Sequence, residues 1–170
     1  PVSVEEEIKR LRPVIKTLKE KGIAVSVDTF KPEVQRFCME QGVEYLNGIQ
    51  GFPYPDVYAE LAASDCKLII MHSMQRIGPA TVIDTQPEDV LTSVIDFFSK
   101  RIMDLENAGV QRERMILDPG MGFFLGSNPE SSVIVLKNIQ RLKQLFGLPV
   151  LIALSRKSFL GKITESEVKT

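Results

Sequence analysis

Five short apolar runs, each ending in a polar residue capable of chemistry, constrain this chain most. Ile23-Ala24-Val25-Ser26-Val27 leads into Asp28, Tyr45-Leu46 into Asn47, and Leu68-Ile69-Ile70-Met71 into His72. Met115-Ile116-Leu117 leads into Asp118, and Val150-Leu151-Ile152-Ala153-Leu154 into Ser155-Arg156-Lys157. Helical segments separate the runs, so strand and helix alternate, and right-handed crossovers then build a parallel sheet covered by helices. In such folds the side chains at the carboxyl ends of the strands face one ligand-binding rim. Two carboxylates, an amide, an imidazole and a lysine are expected there.

The punctuation between the runs supports strands over 23–28, 44–47, 67–72, 115–118 and 149–154. Ser3 and Glu6 form a capping-box pattern before Val4, Ile8, Leu11, Ile15 and Leu18, which recur at helical spacing up to Gly22. Pro32 opens a second helix that ends near Gly42, and a short helix covers 56–63. Ser73 to Gln86 lacks periodicity and reads as a long loop on the ligand-facing side. Thr85 and Glu88 then open a long helix that stops before Gly109. Asn128-Pro129 starts one helix that Gly147 ends, and a last short helix begins at Ser158. No linker or composition shift divides the chain, so residues 1–170 are expected to form a single domain. Five strands in βα order fit an open doubly wound sheet. They also fit strands 3 to 7 of an eight-stranded barrel of about 250 residues. An open sheet with a leading helix and no first strand is unusual, which favours the (β/α)8 TIM barrel, incomplete at both ends.

With 44% hydrophobic residues in 170, the chain can bury a sizeable core. A net charge of −1 gives no electrostatic reason to expect nucleic acid or an anionic membrane as partner. No apolar stretch approaches the about 20 residues of a bilayer span, and the start carries no secretory pattern. Cys38 and Cys66 lack metal-ligand spacing and read as reduced packing residues, in keeping with a cytoplasmic protein. One histidine and two unlinked cysteines make no zinc site, so no metal ligand is assigned.

Either Asp28 or Asp118 alone reads as a cap of the turn that follows it. Two aspartates at equivalent strand ends, each after a run expected to be buried on both faces, read as functional. Pro119-Gly120-Met121-Gly122 adds a stiff, tight turn that a mere connector does not need. Asn47-Gly48 is both a common turn pair and a strand-end amide, and the two readings stay open. His72 has no partner nucleophile in the sequence and is placed near the site, not at the centre of its chemistry. Ser155-Arg156-Lys157-Ser158, at a strand-to-helix junction, reads either as a solvated basic turn or as a binder of an anion or carbonyl. Phe123-Phe124, inside a glycine-flanked loop, suits stacking on a flat ligand better than a core.

Read in order, Ser-Val-Asp-Thr (26–29), Tyr-Leu-Asn-Gly-Ile (45–49), Met-His (71–72), Leu-Asp-Pro-Gly-Met-Gly-Phe (117–123) and Ser-Arg-Lys-Ser (155–158) resemble dihydropteroate synthase. Phe-Lys-Pro-Glu-Val (30–34), Ile-Gln-Gly-Phe-Pro (49–53) and Gly-Phe-Phe-Leu-Gly-Ser-Asn-Pro-Glu (122–130) resemble its mobile, sulfonamide-insensitive members. The resemblance implies a barrel of the pterin-binding type. It would join 4-aminobenzoate to 6-hydroxymethyl-7,8-dihydropterin pyrophosphate, releasing pyrophosphate and 7,8-dihydropteroate for folate synthesis. It implies Asp28, Asn47, Asp118 and Lys157 in the pterin pocket, with Met71 and Ile49 as apolar walls. Ser155, Arg156, Phe123 and Phe124 fall toward 4-aminobenzoate. Asp28 and Lys157 carry the catalytic roles: Asp28 stabilises the cation left as pyrophosphate departs, and Lys157 meets the ring carbonyl or the nitrogen beside it. A cytoplasmic homodimer using Mg2+ is likewise implied.

Some of the family's features are absent from the sequence. The first strand's asparagine motif, two mobile loops and the last strand's Arg-x-His motif hold magnesium, close over 4-aminobenzoate and bind pyrophosphate. The chain by itself is therefore expected to lack much of the anion site, the magnesium ligands included, and not to turn over. Gly48 stands where an aspartate usually follows the pocket asparagine, Ala153 where many relatives have glycine, and Phe124 where sensitive enzymes carry a smaller or polar residue. The rival readings are a pterin-dependent methyltransferase barrel and a non-catalytic or truncated pterin-binding fragment.

Overall fold

The computed structural model describes residues 2–74, 86–155, 157 and 159–161. It packs as two compact units, one of residues 1–70 and 102–115, the other of residues 71–101 and 116–170.

The first unit opens with α1 (Val4–Glu20), whose N-cap Ser3 accepts the Glu6 N–H at 3.2 Å. The Glu6 carboxylate does not complete the box; it pairs with Arg10 one turn on, at 2.8 Å. Then follow β1 (Ser26–Asp28), α2 (Pro32–Glu40), β2 (Tyr45–Gly48), a 3-10 turn (Pro55–Val57), α3 (Tyr58–Ala63) and β3 (Lys67–Met71). Strands β1 and β2 pair in parallel, Asp28 opposite Asn47, and β2 pairs in parallel with β3, Asn47 opposite Ile69. Parallel neighbours place the ends of β1 and β2 level, so the two polar exit residues stand side by side. The core gathers Val27, Val34, Leu46, Leu61, Leu68 and Ile70, each at most 4% exposed.

The strand expected over 23–28 is shorter, and its run is not buried on both faces. Ile23 is 48% exposed, and Ser26 and Asp28 are exposed while Val27 between them is buried. Alternation of this kind marks a strand with one solvated face. Val25 precedes the strand; its carbonyl accepts the Tyr45 N–H at 3.1 Å, but its N–H donates to the Glu44 carboxylate at 2.7 Å.

Strand β3 leads into the second unit, where the chain passes through α4 (Pro87–Asn107), which ends in the first unit. Val90, Val94, Phe98, Ile102 and Leu105, spaced by three or four, form its buried stripe. After a 3-10 turn (Arg112–Arg114) come β4 (Met115–Asp118), a second such turn (Gly122–Leu125), α5 (Pro129–Lys137) and α6 (Ile139–Phe146). Most of the loop expected over 73–86, and Thr85 of the expected cap, lie outside the described residues. So does Ser158, although residues 159–161 are helical.

Two expectations are corrected here. Residues 149–154 form no strand: a single parallel bridge joins Leu117 to Val150, closed by Leu117 N–H to Pro149 at 2.9 Å and Leu151 N–H to Leu117 at 2.8 Å. Pro149 has no N–H with which to extend the ladder at that end. The single helix expected over 128–147 is two. The Asn138 side chain donates to the Ile134 carbonyl at 2.9 Å, and its own carbonyl accepts the Leu142 N–H at 3.0 Å. Asparagine thereby ends one helix and starts the next, the local competition that disfavours it in helix interiors. The flanking signals are as read: Asn128 accepts the Glu130 N–H at 2.9 Å, and Gly147 closes α6 at φ +64°.

Candidate active site

In the first unit the Asn47 amide donates to the Asp28 carboxylate at 3.4 Å, a long bond, while its own side-chain oxygen is buried with no partner among the described residues. An amide in that state holds an unused acceptor where a ligand donor would be favoured. The Asp28 carboxyl is raised above the ordinary aspartate value, first by loss of solvent and then by the negative charge of Glu7. Thr29, next in the chain, is buried although polar.

The loop after Asn47 is tightly wound. Gln50, Gly51 and Phe52 all take positive φ, at 68°, 63° and 59°. The Gly51 N–H closes back on the Gly48 carbonyl at 2.8 Å, and Tyr58 Oη donates to the Phe52 carbonyl at 2.9 Å. A β-carbon at Gly48 would come within 2.8 Å of the Phe52 ring, which is 1% exposed. The aromatic ring thus fills the space of the side chain that position 48 lacks. Ile49 is half-buried beside it.

In the second unit the turn after β4 is organised by Asp118, 4% exposed. Its Oδ1 accepts the Gly120 N–H at 2.9 Å, and its carbonyl accepts the His72 N–H at 2.7 Å. Gly122 follows with φ +63°; its N–H donates to Ser132 Oγ at 2.9 Å, and a β-carbon added there would meet the Lys157 stem at 3.5 Å. Lys157 Nζ lies 5.1 Å from the centre of the Phe124 ring, within cation–π range. Phe123 meets Phe124 edge-on at 6.0 Å and stays 42% exposed. The structure therefore brings Asp118, Phe123, Phe124 and Lys157 into one loop system. Met71 is buried at the end of β3, Ser155 is exposed, and Arg156 lies outside the described residues.

His72 is a packing residue. It is 2% exposed, with its ring nitrogens 3.2 Å from the Pro119 carbonyl and 3.4 Å from Ser93 Oγ, and its ring edge-on to Phe97 at 5.2 Å. Burial outweighs the Pro119 bond and lowers its pKa to about 4, so the ring is neutral. Unfolding lets it take up a proton below its ordinary value of about 6.5. Its contribution is therefore complete above pH 6.5 and is lost as pH falls toward 4, up to about 3 kcal/mol. Urea denaturation between pH 7 and pH 4 is expected to show this slope, flattened in His72→Gln. An unchanged slope in the variant removes His72 as its source.

Burial likewise pushes the Cys38 thiol up to about 12. Both cysteines are buried and free. Among the described residues no three His, Cys, Asp or Glu side chains come together to hold a metal ion, and Asp28 is met by an amide. These residues do not fit a magnesium site. A groove of about 540 Å³ on α4 has Asp89, Asp96, Phe97 and Lys100 in its lining and none of the strand-exit residues. No helix among the described residues is long and apolar enough to cross a membrane.

Sequence reasoning missed Ser132, whose hydroxyl holds the Gly122 N–H, and Phe52, whose ring fits Gly48. It also missed Glu7, which accepts from the Thr29 hydroxyl at 2.7 Å. Glu7 sits in an ordinary amphipathic helix and Ser132 in a short helix, where nothing local marks either. Only the missing side chain at 48 hinted at a compensating group.

Residues 1–170 match the family model described as pterin binding enzyme. Dihydropteroate synthase type-3 of Escherichia coli is 66% identical over 169 residues, which are 99% of this chain and 64% of that protein. Among solved structures, Xanthomonas albilineans dihydropteroate synthase with 4-aminobenzoic acid aligns at a TM-score of 0.85 and 36% identity, over 98% of this chain and 60% of that one. The same enzyme in complex with 7,8-dihydropteroate aligns at 0.82 and 37%, over 98% and 61%. The chain thus spans about three fifths of the length of the relatives it matches. Its parallel α/β structure is a part of their (β/α)8 TIM barrel. By the family match over its whole length, the chain belongs to the pterin-binding enzymes.

Proposed function

We propose that the full-length polypeptide carrying this chain is a dihydropteroate synthase. The observation that carries the reading is the 66% identity, across 99% of the chain, with the Escherichia coli type-3 enzyme. The substrates are a dihydropterin pyrophosphate and 4-aminobenzoate, the setting a cytoplasmic homodimer, and magnesium enters through residues outside those described here.

The residues support a division of labour. A 2-amino-4-oxo pterin presents an edge of N–H donors, which suits a buried carboxylate such as Asp118 whose turn is already held by Gly120. The unpaired Asn47 oxygen offers one further acceptor. Lys157 meets the ring carbonyl or its neighbouring nitrogen, and Met71 and Ile49 supply apolar walls. As the bond from the pterin methylene to pyrophosphate breaks, positive charge spreads into the ring. Asp28 stabilises that charge electrostatically. The amine of 4-aminobenzoate then attacks the methylene, forms the C–N bond and loses a proton, with its ring toward Phe123, Phe124, Ser155 and Arg156. The exposed Phe123 and the Phe124 beside it reshape that side against bulkier sulfonamides.

The test is pyrophosphate release by the full-length polypeptide, given dihydropterin pyrophosphate and magnesium, with and without 4-aminobenzoate, and with sulfamethoxazole as challenger. Release that requires 4-aminobenzoate and survives the drug is expected. Release blocked by the drug keeps the synthase and discards the insensitivity. Pterin binding without release makes the protein a non-catalytic pterin binder.

A further inference from the structure

We infer that Glu7, in the first turn of α1, is a positioning residue that fixes Asp28 and Asn47 through Thr29 and Lys31; this rests on the pterin role proposed for those two side chains. Thr29 directly follows Asp28, is 4% exposed, and has every polar group engaged. Its N–H donates to the Asn47 carbonyl at 3.2 Å, and its carbonyl accepts from the Gln35 amide at 3.1 Å. Its hydroxyl donates to Glu7 Oε1 at 2.7 Å. The second oxygen of Glu7 accepts from Lys31 Nζ, also at 2.7 Å, in an ion pair whose side chains are only 15% and 23% exposed. Lys31 Nζ also reaches the Val2 carbonyl, and the Lys31 N–H points at Thr29 Oγ1 at 3.4 Å.

One carboxylate therefore ties α1 to both flanks of Phe30, at the point where the chain leaves β1. Bonds to a charged acceptor are shorter and stronger than neutral ones. Three bonds in different directions leave Thr29 no freedom to swing. The peptide plane shared with Asp28 is held, and the Asn47 backbone is held by the same residue. The bonds of Glu7 run to Thr29 and Lys31, not to Asp28 or Asn47. Its effect reaches the site as geometry, where small displacements are costly. The negative charge of Glu7 also raises the Asp28 carboxyl. Thr29→Val separates the two effects, because it breaks the link and leaves the charge in place.

The experiment measures, in the full-length polypeptide, the affinity for dihydropterin pyrophosphate and the KM for 4-aminobenzoate. Thr29→Val and Glu7→Ala are each expected to weaken pterin affinity about tenfold, with the 4-aminobenzoate KM within about twofold. The double variant is expected to lose no more than the larger single loss, as for one shared link. Thr29→Ser, which keeps the hydroxyl, recovers most of the affinity. Loss of thermal stability with unchanged pterin affinity overturns the inference, as does an equal loss for both substrates or an additive double variant. Should Thr29→Val fail to fold, Glu7→Ala against Thr29→Ser decides the same question. If the unmodified polypeptide binds no pterin, the site reading falls and this inference with it. If it binds pterin and the variants bind equally well, only the inference falls.

Discussion

Asp118→Asn is expected to weaken binding of a dihydropterin by at least about a hundredfold while leaving the fold in place. The substitution preserves shape and keeps an oxygen for the Gly120 N–H, which the native carboxylate receives at 2.9 Å. The second oxygen becomes an NH2 group. A carboxylate is an acceptor at both oxygens, whereas an amide presents two donors on one side. Set against the N–H edge of an aminopyrimidinone, the amide loses one hydrogen bond and leaves two donors facing each other at a residue only 4% exposed. Buried polar groups left unpaired in this way account for discrimination of about 10⁴ in sites built to read hydrogen bonds. Calorimetric titration with the dihydropterin, beside a denaturation curve, checks the claim. Binding within threefold of the unmodified protein means that Asp118 serves only its own turn.

The strand ends were legible because they are marked by where apolar runs stop. That rule picked out Asp28, Asn47 and Asp118, which the structure places within the last two residues of their strands, and the turn at Pro119–Gly122 was marked by its glycines and proline. Their roles toward a pterin came from the family resemblance, not from the rule. The rule failed where pairing, not composition, decides. The run at 150–154 is as apolar as the others yet forms only one bridge, because strand structure requires a neighbour in register, which apolar composition does not supply. The break at Asn138 was visible as an asparagine in a helical run, but only its bond to Ile134 shows that the side chain won against the backbone. Exposure of the β1 run was also out of reach, since burial on both faces depends on neighbours that the run does not specify. The links of Glu7 to Thr29 and Lys31 span 22 and 24 positions in sequence, beyond any local pattern.

Gly120→Ala is expected to combine a fold defect with a binding defect, because two independent costs meet at one position. The backbone there has φ +74°, which disfavours any residue with a β-carbon by about 1–2 kcal/mol. That β-carbon would also stand 2.6 Å from the His72 carbonyl oxygen and 3.2 Å from the Phe124 β-carbon. The first of these is backbone and cannot rotate away, so the turn itself must shift. Overpacking of this kind adds about 1–3 kcal/mol, giving about 3 kcal/mol or more in total. Gly147 supplies the control: its φ is +64°, with nothing within 4 Å of an added β-carbon. Gly147→Ala therefore carries only the conformational cost, about 1–2 kcal/mol. The shift forced at Gly120 also moves the N–H that Asp118 holds, so pterin affinity falls together with the urea midpoint. In Gly147→Ala the midpoint moves alone. Equal midpoint shifts for the two alanine variants refute the steric part of the argument. Unchanged pterin affinity in Gly120→Ala refutes the link between this turn and the pterin-binding role proposed for Asp118.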